Sequence, residues 1–550
     1  MKKTVILILS VLMLFTSCSE FVNETQSPVD PNVFYLDSLP EIGKFKAFDS
    51  GENAPFDFVP SDSYEEIIPY IGSYRIFETP AVDGENFSAE QGYASYGFMT
   101  RDGRVIMKAS DKNTYLNYSL TNDGFGFYTL TREVMPKDDA PDEFTPSEAY
   151  IIPRDGSWCL MLSGNSWVSS FGGGSICVCV YPVGDEEEVK TQIYGYDGKL
   201  KTTVEGVDSV GRVSSGLMLV SSWKNNGYEA YFADESGNKV LGPYSYAIDF
   251  NDNGITCVED KNGAYLINTD GKRLTEYYES FYNEYSADMT KHVFSGRTFA
   301  NRQKCDVFSE KGELIGTTEG SSYASFKFPD DGRLLYYYTH YDTNEKGHTI
   351  YDSERMIWRY VDTGEDFVSD EGFVPNSYMC TDKCFIHIDE QNKKAYLIAS
   401  DGKTMGVLDN VTEVVNVSPY GEYVIYIEGE YSYDTETGKP LGDTRKTHIY
   451  SKEKKSIIFS TDTYSNAYFP ADNERFVLVM HYDGMDMYDM FGGEPEYSLF
   501  DTQKGEVVLE DCEYINVFNL GDKMFFNVSK GNTVLVLDEE MNVLRKAYYE

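Results

Sequence analysis

Histidine is scarce in this chain of 550 residues: there are six, and none is followed by Glu. That rules out the H-E-x-x-H helix that holds a catalytic zinc. Basic groups are also few, 47 Lys and Arg against 90 Asp and Glu, for a formal net charge of −43. A protein that binds a phosphate backbone needs clustered cations to displace counterions, so nucleic acid is excluded as a partner. Leu, Glu and Lys runs at helical spacing are nearly absent, which leaves under a tenth helix as the expectation. Beyond the N-terminus there is no apolar run long enough to span a membrane.

What stands at the N-terminus is short. Lys2 and Lys3 precede an apolar run of eleven residues from Val5 to Phe15, interrupted only by Ser10. As a helix it would rise about 16 Å against a hydrocarbon core of about 30 Å, so residues 1–17 are expected to be a secretory signal and not a span. Phe15-Thr16-Ser17-Cys18 resembles the lipobox of bacterial lipoproteins, although that family usually has Leu where Phe15 stands. The resemblance implies acylation of Cys18 as the first mature residue. In a Gram-negative envelope it also implies transfer to the outer membrane or cell surface, because Ser19 rather than Asp follows the cysteine. Losing Lys2 and Lys3 takes the charge from −43 to −45. Such acidity keeps an exported protein soluble or sets up a field that attracts cations and basic partners. Residues 18–64 are rich in Ser, Pro, Asn, Asp and Glu, which bury too little apolar surface to offset ordering entropy, so a flexible tether is expected. Lipid is then the only expected membrane anchor.

The body repeats itself. Ala264-Tyr265-Leu266-Ile267-Asn268-Thr269-Asp270-Gly271-Lys272 returns as Ala395-Tyr396-Leu397-Ile398-Ala399-Ser400-Asp401-Gly402-Lys403. Each copy reads as a strand, an Asp-Gly turn and a return strand, a β-hairpin. Gly271, Gly312, Gly364 and Gly402 are separated by 41, 52 and 38 residues, a length that suits four short strands. With 45 Tyr and 33 Phe, and Thr and Val common, β propensity dominates. Tyr423-Val424-Ile425-Tyr426-Ile427, Phe476-Val477-Leu478-Val479-Met480 and Thr533-Val534-Leu535-Val536-Leu537 are apolar without a break, as strands buried on both faces require.

The units at Gly97, Gly227 and Gly263 resemble the bacterial tryptophan-glycine (WG) repeat, over about residues 65–320. Tyr96, Asn226 and Asn262 stand where that family has its aromatic, usually Trp. From about 320 to 550 the units are similar to WD-repeat blades, as in Val417-Ser418-Pro419-Tyr420-Gly421-Glu422-Tyr423 and Phe326-Lys327-Phe328-Pro329-Asp330-Asp331-Gly332. Both resemblances imply an all-β propeller over residues 65–550. Roughly 480 residues at about 44 each make about eleven units, more than the four to eight blades of ordinary wheels. The expectation is one wheel of seven or eight four-stranded blades, some enlarged; the alternative is two smaller propellers in tandem. No Pro/Ser-rich linker interrupts the body, which favours one wheel.

Candidate chemistry is sparse. Asp249-Phe250-Asn251-Asp252-Asn253-Gly254 fits the calcium-loop start D-x-[DN]-x-[DN]-G, and Asp260 falls at its twelfth position. Asp249, Asn251, Asn253 and Asp260 are therefore candidate ligands for Ca²⁺, the one cofactor considered. Against this, the twelfth residue is Asp and not a bidentate Glu, no helices flank the segment, and Asp252-Asn253-Gly254 also makes a plain hairpin turn. Cys380-Thr381-Asp382-Lys383-Cys384 with His387, and Cys177-Val178-Cys179, lack zinc-site spacings and read as strand cysteines. Eight cysteines remain beyond Cys18, and no pairing is assigned. Gly164-Asn165-Ser166-Trp167-Val168 approaches the nucleophile elbow but ends in Val where the turn wants Gly, so no catalytic residue is assigned. Phe171-Gly172-Gly173-Gly174-Ser175 reads as a loop without a phosphate role. Tyr336, Tyr337, Tyr338 and Tyr341 alternate along a strand, so some rings are candidates for an exposed binding surface, with packing between blades as the alternative.

These features point to a lipid-anchored envelope protein that binds or scaffolds a protein, peptide or glycan through loops at one end of its propeller. The alternative is a carbohydrate-active hydrolase or lyase that uses carboxylates in the funnel. Cys18→Ala should abolish acylation and move the protein to the soluble fraction; continued retention in membranes would refute the anchor.

Overall fold

The computed structural model describes residues 58, 60 and 66–548, apart from 79–89, 110–113, 122–123, 133–147, 163–165, 181–188, 207–208, 225–226, 287–289, 321–323, 344–348, 434–439, 471–473, 482–494, 521–522 and 532. The signal, Cys18 and nearly all of the tether lie outside the described residues. Phe58, assigned to the tether from composition, is buried and bridges to Met107.

Among the described residues every helix or strand is a strand, and every strand pairing is antiparallel. Eleven sheets follow in chain order over residues 68–107, 114–162, 166–205, 209–244, 246–268, 280–319, 325–360, 385–409, 411–460, 465–512 and 514–548, here blades 1 to 11. Seven of them have four strands. The other four gain a fourth edge from a short segment. In blade 1 it is Phe58 beside Met107; in blade 5, Arg273 and Tyr278 beside Ile267 and Ala264; in blade 7, Asp366 beside Arg359. In blade 8 the Asn376 N–H donates to the Ile386 carbonyl at 3.0 Å. A further hairpin, Tyr431–Tyr433 with Pro440–Asp443, is inserted in blade 9.

The blades form for local reasons. In the repeated pair, Gly271 and Gly402 sit at φ of 75° and 83°, the left-handed region that glycine enters at no steric cost. Each closes a three-residue hairpin loop: the Gly271 N–H donates to Asn268 O at 2.9 Å, and the Gly402 N–H to Ala399 O at 2.9 Å. Gly312 and Gly364 occupy the same place in blades 6 and 7, so the glycine spacing does count blades, and the repeated pair lies three blades apart.

Second strands are buried on both faces: Ser175–Val180 and Tyr423–Glu428 are apolar almost throughout and are sealed except at their ends. Fourth strands such as Lys239–Tyr244 and Ser456–Ser460 are largely exposed. First strands of neighbouring blades approach each other, Ser166–Gly172 with Ser209–Ser214 and Val411–Val417 with Ser465–Tyr468, which places them innermost. Apolar clusters fill each gap between consecutive blades.

The last blade returns to the first. One cluster joins Ile68, Phe98 and Tyr128 of blades 1 and 2 to Phe518, Phe525 and Val536 of blade 11. Asn527, fully buried, accepts from the Ile71 N–H and donates to Pro69 O, each at 3.0 Å. The architecture is therefore a β-propeller of four-stranded blades, and eleven of them correct the expected seven or eight. Units taken for enlargements of fewer blades each bury two faces as sheets of their own. The alternative of two propellers in tandem is compatible with this number.

Asn527→Ala removes both bonds and leaves Ile71 N–H and Pro69 O buried without a partner. At about 1–3 kcal/mol for each unpaired group, the variant should lose about 2–6 kcal/mol in chemical denaturation.

Candidate functional site

The first strands of blades 4, 5 and 6 carry the main concentration of uncommon chemistry. Arg212 lies on Ser209–Ser214, Asp249 just after Tyr246–Ala247, and Asn283 and Tyr285 on Ser280–Tyr285. His292 opens the next strand of blade 6, His292–Arg297, and Glu310 sits in the turn after Lys304–Ser309. With Asp252, these groups line a cavity of about 550 Å³.

Local turn chemistry positions them. The Asn251 side-chain oxygen accepts from the N–H groups of Asn253, at 3.0 Å, and Ile255, at 2.9 Å, which folds Asp252-Asn253-Gly254 into the hairpin turn. Its amide nitrogen donates to Glu310 O at 2.7 Å and lies 2.9 Å from His292 Nε2. One side chain thus ties blade 5 to blade 6 and orients the imidazole. Burial holds His292 below its ordinary pKa, against the upward pull of Glu310 and Asp252. The Tyr285 ring stacks on His292, with centroids 5.3 Å apart, and is 41% exposed on the cavity wall.

Two acceptors in this wall are buried without a partner: Asp249 Oδ1 and Asn283 Oδ1. Burial pushes the Asp249 carboxyl up to about 6, although the charge and backbone N–H of Arg212 pull it down. Any side chain at Gly211 would collide with Asp249 Oδ1, so glycine there permits the close approach.

The cavity continues both ways along one end of the blades. Arg212 and Asp252 also line a cavity of about 360 Å³ bounded by Phe171 and Gly173 of blade 3. His292 and Glu310 also line one of about 580 Å³ that reaches Phe328 and Arg333 of blade 7. The result is a groove across the turns of blades 3 to 7, most polar at its middle. The Phe171–Ser175 segment, read as a loop, is a tight turn between two strands and forms the start of this groove.

The calcium candidates are not brought together. Asp249 and Asn253 line the cavity, but the Asn251 side-chain oxygen is taken by two backbone N–H groups. Asp260 closes the far end of the extended strand Ile255–Asp260, roughly 17 Å on, where it accepts from the Asn262 N–H at 2.7 Å. A single ion needs its ligands within about 2.6 Å, and these four do not form that set. Among the described residues no three His, Cys, Asp or Glu side chains are grouped to hold a metal.

The four tyrosines of the expected aromatic surface lie buried or half-buried. Tyr336 and Tyr338 are 1% and 6% exposed in the core between blades 6 and 7, and Tyr337 stacks on Trp358 at 4.2 Å. Tyr341 is half-buried on the same strand. Both faces of this strand meet another blade, so alternation leaves no exposed row. The eight cysteines other than Cys18 are buried and form no disulfide, and burial pushes the Cys177, Cys380 and Cys384 thiols up to about 12. In blade 9, His448 Nδ1 meets Ser460 Oγ at 2.7 Å and Nε2 meets Glu428 at 3.1 Å. The nitrogens are reversed relative to a serine-hydrolase triad, so this line fixes the imidazole across three strands.

No motif or spacing in the sequence marks Asn283, Tyr285, His292, Glu310 or Arg212. Tyr285 closes an aromatic-rich stretch, Tyr277-Tyr278-Glu279-Ser280-Phe281-Tyr282-Asn283-Glu284-Tyr285, the one local feature of the sequence at these positions.

No family model matches the chain, and no curated protein matches it. Among solved structures it is similar to a eukaryotic initiation factor at 11% identity and a TM-score of 0.32, over 76% of this chain and 93% of that one. It is also similar to the β-propeller domain of the Trilobed protease from Pyrococcus furiosus, at 11% identity and 0.25, over 69% and 98%. A protein of unknown function from Bacteroides caccae aligns at 14% identity and 0.14, over 48% and 89%. Likenesses of this degree carry no argument, and the architecture rests on the strand pairing.

An acid whose folded pKa is raised binds its proton more tightly folded than unfolded. Stability from Asp249 is therefore present below about pH 4 and lost as pH climbs to about 6, a cost of up to about 3 kcal/mol above that. Asp249→Asn should match the wild type near pH 4 and exceed it above pH 6, in denaturation midpoints taken from pH 4 to 8.

Proposed function

We propose that the chain is exported, anchored by lipid at Cys18, and serves at the cell envelope as a binding or scaffolding propeller for a protein, peptide or glycan. The observation that supports it is the groove: three contiguous cavities across five blades, on a rigid frame whose turns are free to vary. Its lipid anchor rests on the Phe15-Thr16-Ser17-Cys18 resemblance.

A second reading, an envelope carbohydrate-active hydrolase or lyase, draws support from Asp249. A carboxyl that titrates at about 6 inside a cavity suits general acid or base work near neutral pH.

Asp252 is exposed and lines both the first and the middle cavity, so Asp252→Trp should block the groove while leaving stability within about 0.5 kcal/mol of wild type. Passed over immobilised protein, a solubilised envelope extract should yield a ligand that wild type retains and Asp252→Trp releases; equal retention by both ends the groove reading. Conversion of that ligand by wild type, lost in Asp249→Asn with retention kept, would select the enzyme.

A further inference from the structure

The wall of the middle cavity is negative. It carries three carboxylates, Asp249, Asp252 and Glu310, and one guanidinium, Arg212. Asp249 and Arg212 act on each other inside the wall: the Asp249 Oδ1 is buried beneath Gly211, out of a ligand's reach, and the Arg212 charge pulls on that carboxyl. What a ligand meets is Asp252, exposed, and Glu310, half-buried. Both pull on the His292 imidazole and so lie near it. Burial keeps that imidazole neutral at pH 7, so it adds no positive charge to this part of the wall.

An aromatic ring stands in the same place. Tyr285 is stacked on His292 with centroids 5.3 Å apart, which fixes it from behind, and is still 41% exposed to the cavity. The face of such a ring attracts an ammonium or guanidinium, more strongly as the cation loses water, and neighbouring carboxylates add to the attraction. The same carboxylates repel an anion, and a neutral ligand gains nothing from them. The two ends of the groove have another character. Near Phe328, Lys291 and Lys311 balance Glu310 and Glu313, and Ile315 and Leu334 add apolar surface. At the other end Phe171 and Val213 are apolar, and Arg212 balances Asp252. Apolar side chains therefore suit both ends and a cation suits the middle, a sequence of sites that an extended peptide fills and a small amine does not.

We propose that the groove binds an extended peptide segment of a partner protein through one Lys or Arg side chain, seated on Tyr285 beside Asp252 and Glu310, with apolar residues on either side of it. This rests on the groove being the binding site.

The test is fluorescence anisotropy of the full chain with labelled peptides of about twelve residues that differ at one position: Lys, Arg, Ser or Glu between two Phe residues in a Gly-Ser background. At low salt the Lys or the Arg peptide should bind about tenfold or more tighter than the Ser peptide, and the Glu peptide more weakly than Ser. Because the whole chain is acidic, variants must separate the site from the general field. Tyr285→Ala and Glu310→Gln should each weaken the cationic peptide about fivefold or more, and Tyr285→Phe, which keeps the ring, should stay within about twofold. Glu390→Gln, the same change of charge in an exposed turn of blade 8, should leave binding unchanged. Equal affinity for the Lys, Arg and Ser peptides, or cationic binding that Tyr285→Ala and Glu310→Gln both keep in full, would overturn the proposal. If Asp252→Trp still releases the envelope ligand while Lys and Arg gain nothing over Ser, the groove reading stands and the basic peptide falls. If Asp252→Trp has no effect, both fall.

Discussion

Every other feature of this protein depends on one packing constraint: its sheets are apolar on both faces. Ile176, Cys177, Val178 and Cys179 are sealed on successive sides of a single strand, as are Val424, Ile425, Tyr426 and Ile427. A sheet of that kind exposes a costly apolar face unless it has a neighbour on each side, at roughly 25 cal/mol for every Å² left in water. Blades must therefore continue one after another. The end of the series must be covered too, and Phe518, Phe525 and Val536 of the last blade cover Ile68 and Phe98 of the first. Asn527 adds direction to that contact, because its amide bonds require one register of Pro69 and Ile71.

The groove follows from the same constraint. Tight apolar packing between blades draws their first strands together, and polar residues near the ends of those strands are crowded where no second or third strand can cover them. Arg212, Asp249 and Asn283 come from three blades and share one wall for that reason. Gly211 lets Asp249 sit under the neighbouring strand, and the turn held by Asn251 sets the distance to His292 and Glu310. The raised carboxyl and the depressed imidazole are consequences of that crowding, since both shifts are driven first by loss of water.

Much of the blade was legible because its determinants are local. Gly271 and Gly402 mark hairpin turns in any sequence context that allows a left-handed residue, and the spacing of Gly312 and Gly364 carried the repeat across blades. The Asp252-Asn253-Gly254 run makes the turn its composition suggested, and Asp260 is carried away from it by an extended strand. Tyr336, Tyr337 and Tyr338 could not be assigned to a surface from alternation, since alternation names two faces without saying what covers them. Asn283 and His292 follow Asp249 by more than thirty residues, and no spacing rule links them.

The amino-acid sequence alone determined the unit: a β-hairpin with a glycine turn, repeated about every 44 residues, with strands too apolar to face water. Those properties depend on backbone dihedrals and the two-residue period of a strand, which neighbours in the chain control. Tertiary structure alone decided that eleven blades form, that the last packs on the first, and that Asp249 loses its water while Asp260 keeps it. Burial is a property of what converges in space, and convergence here is set by inter-blade packing between residues far apart in the chain.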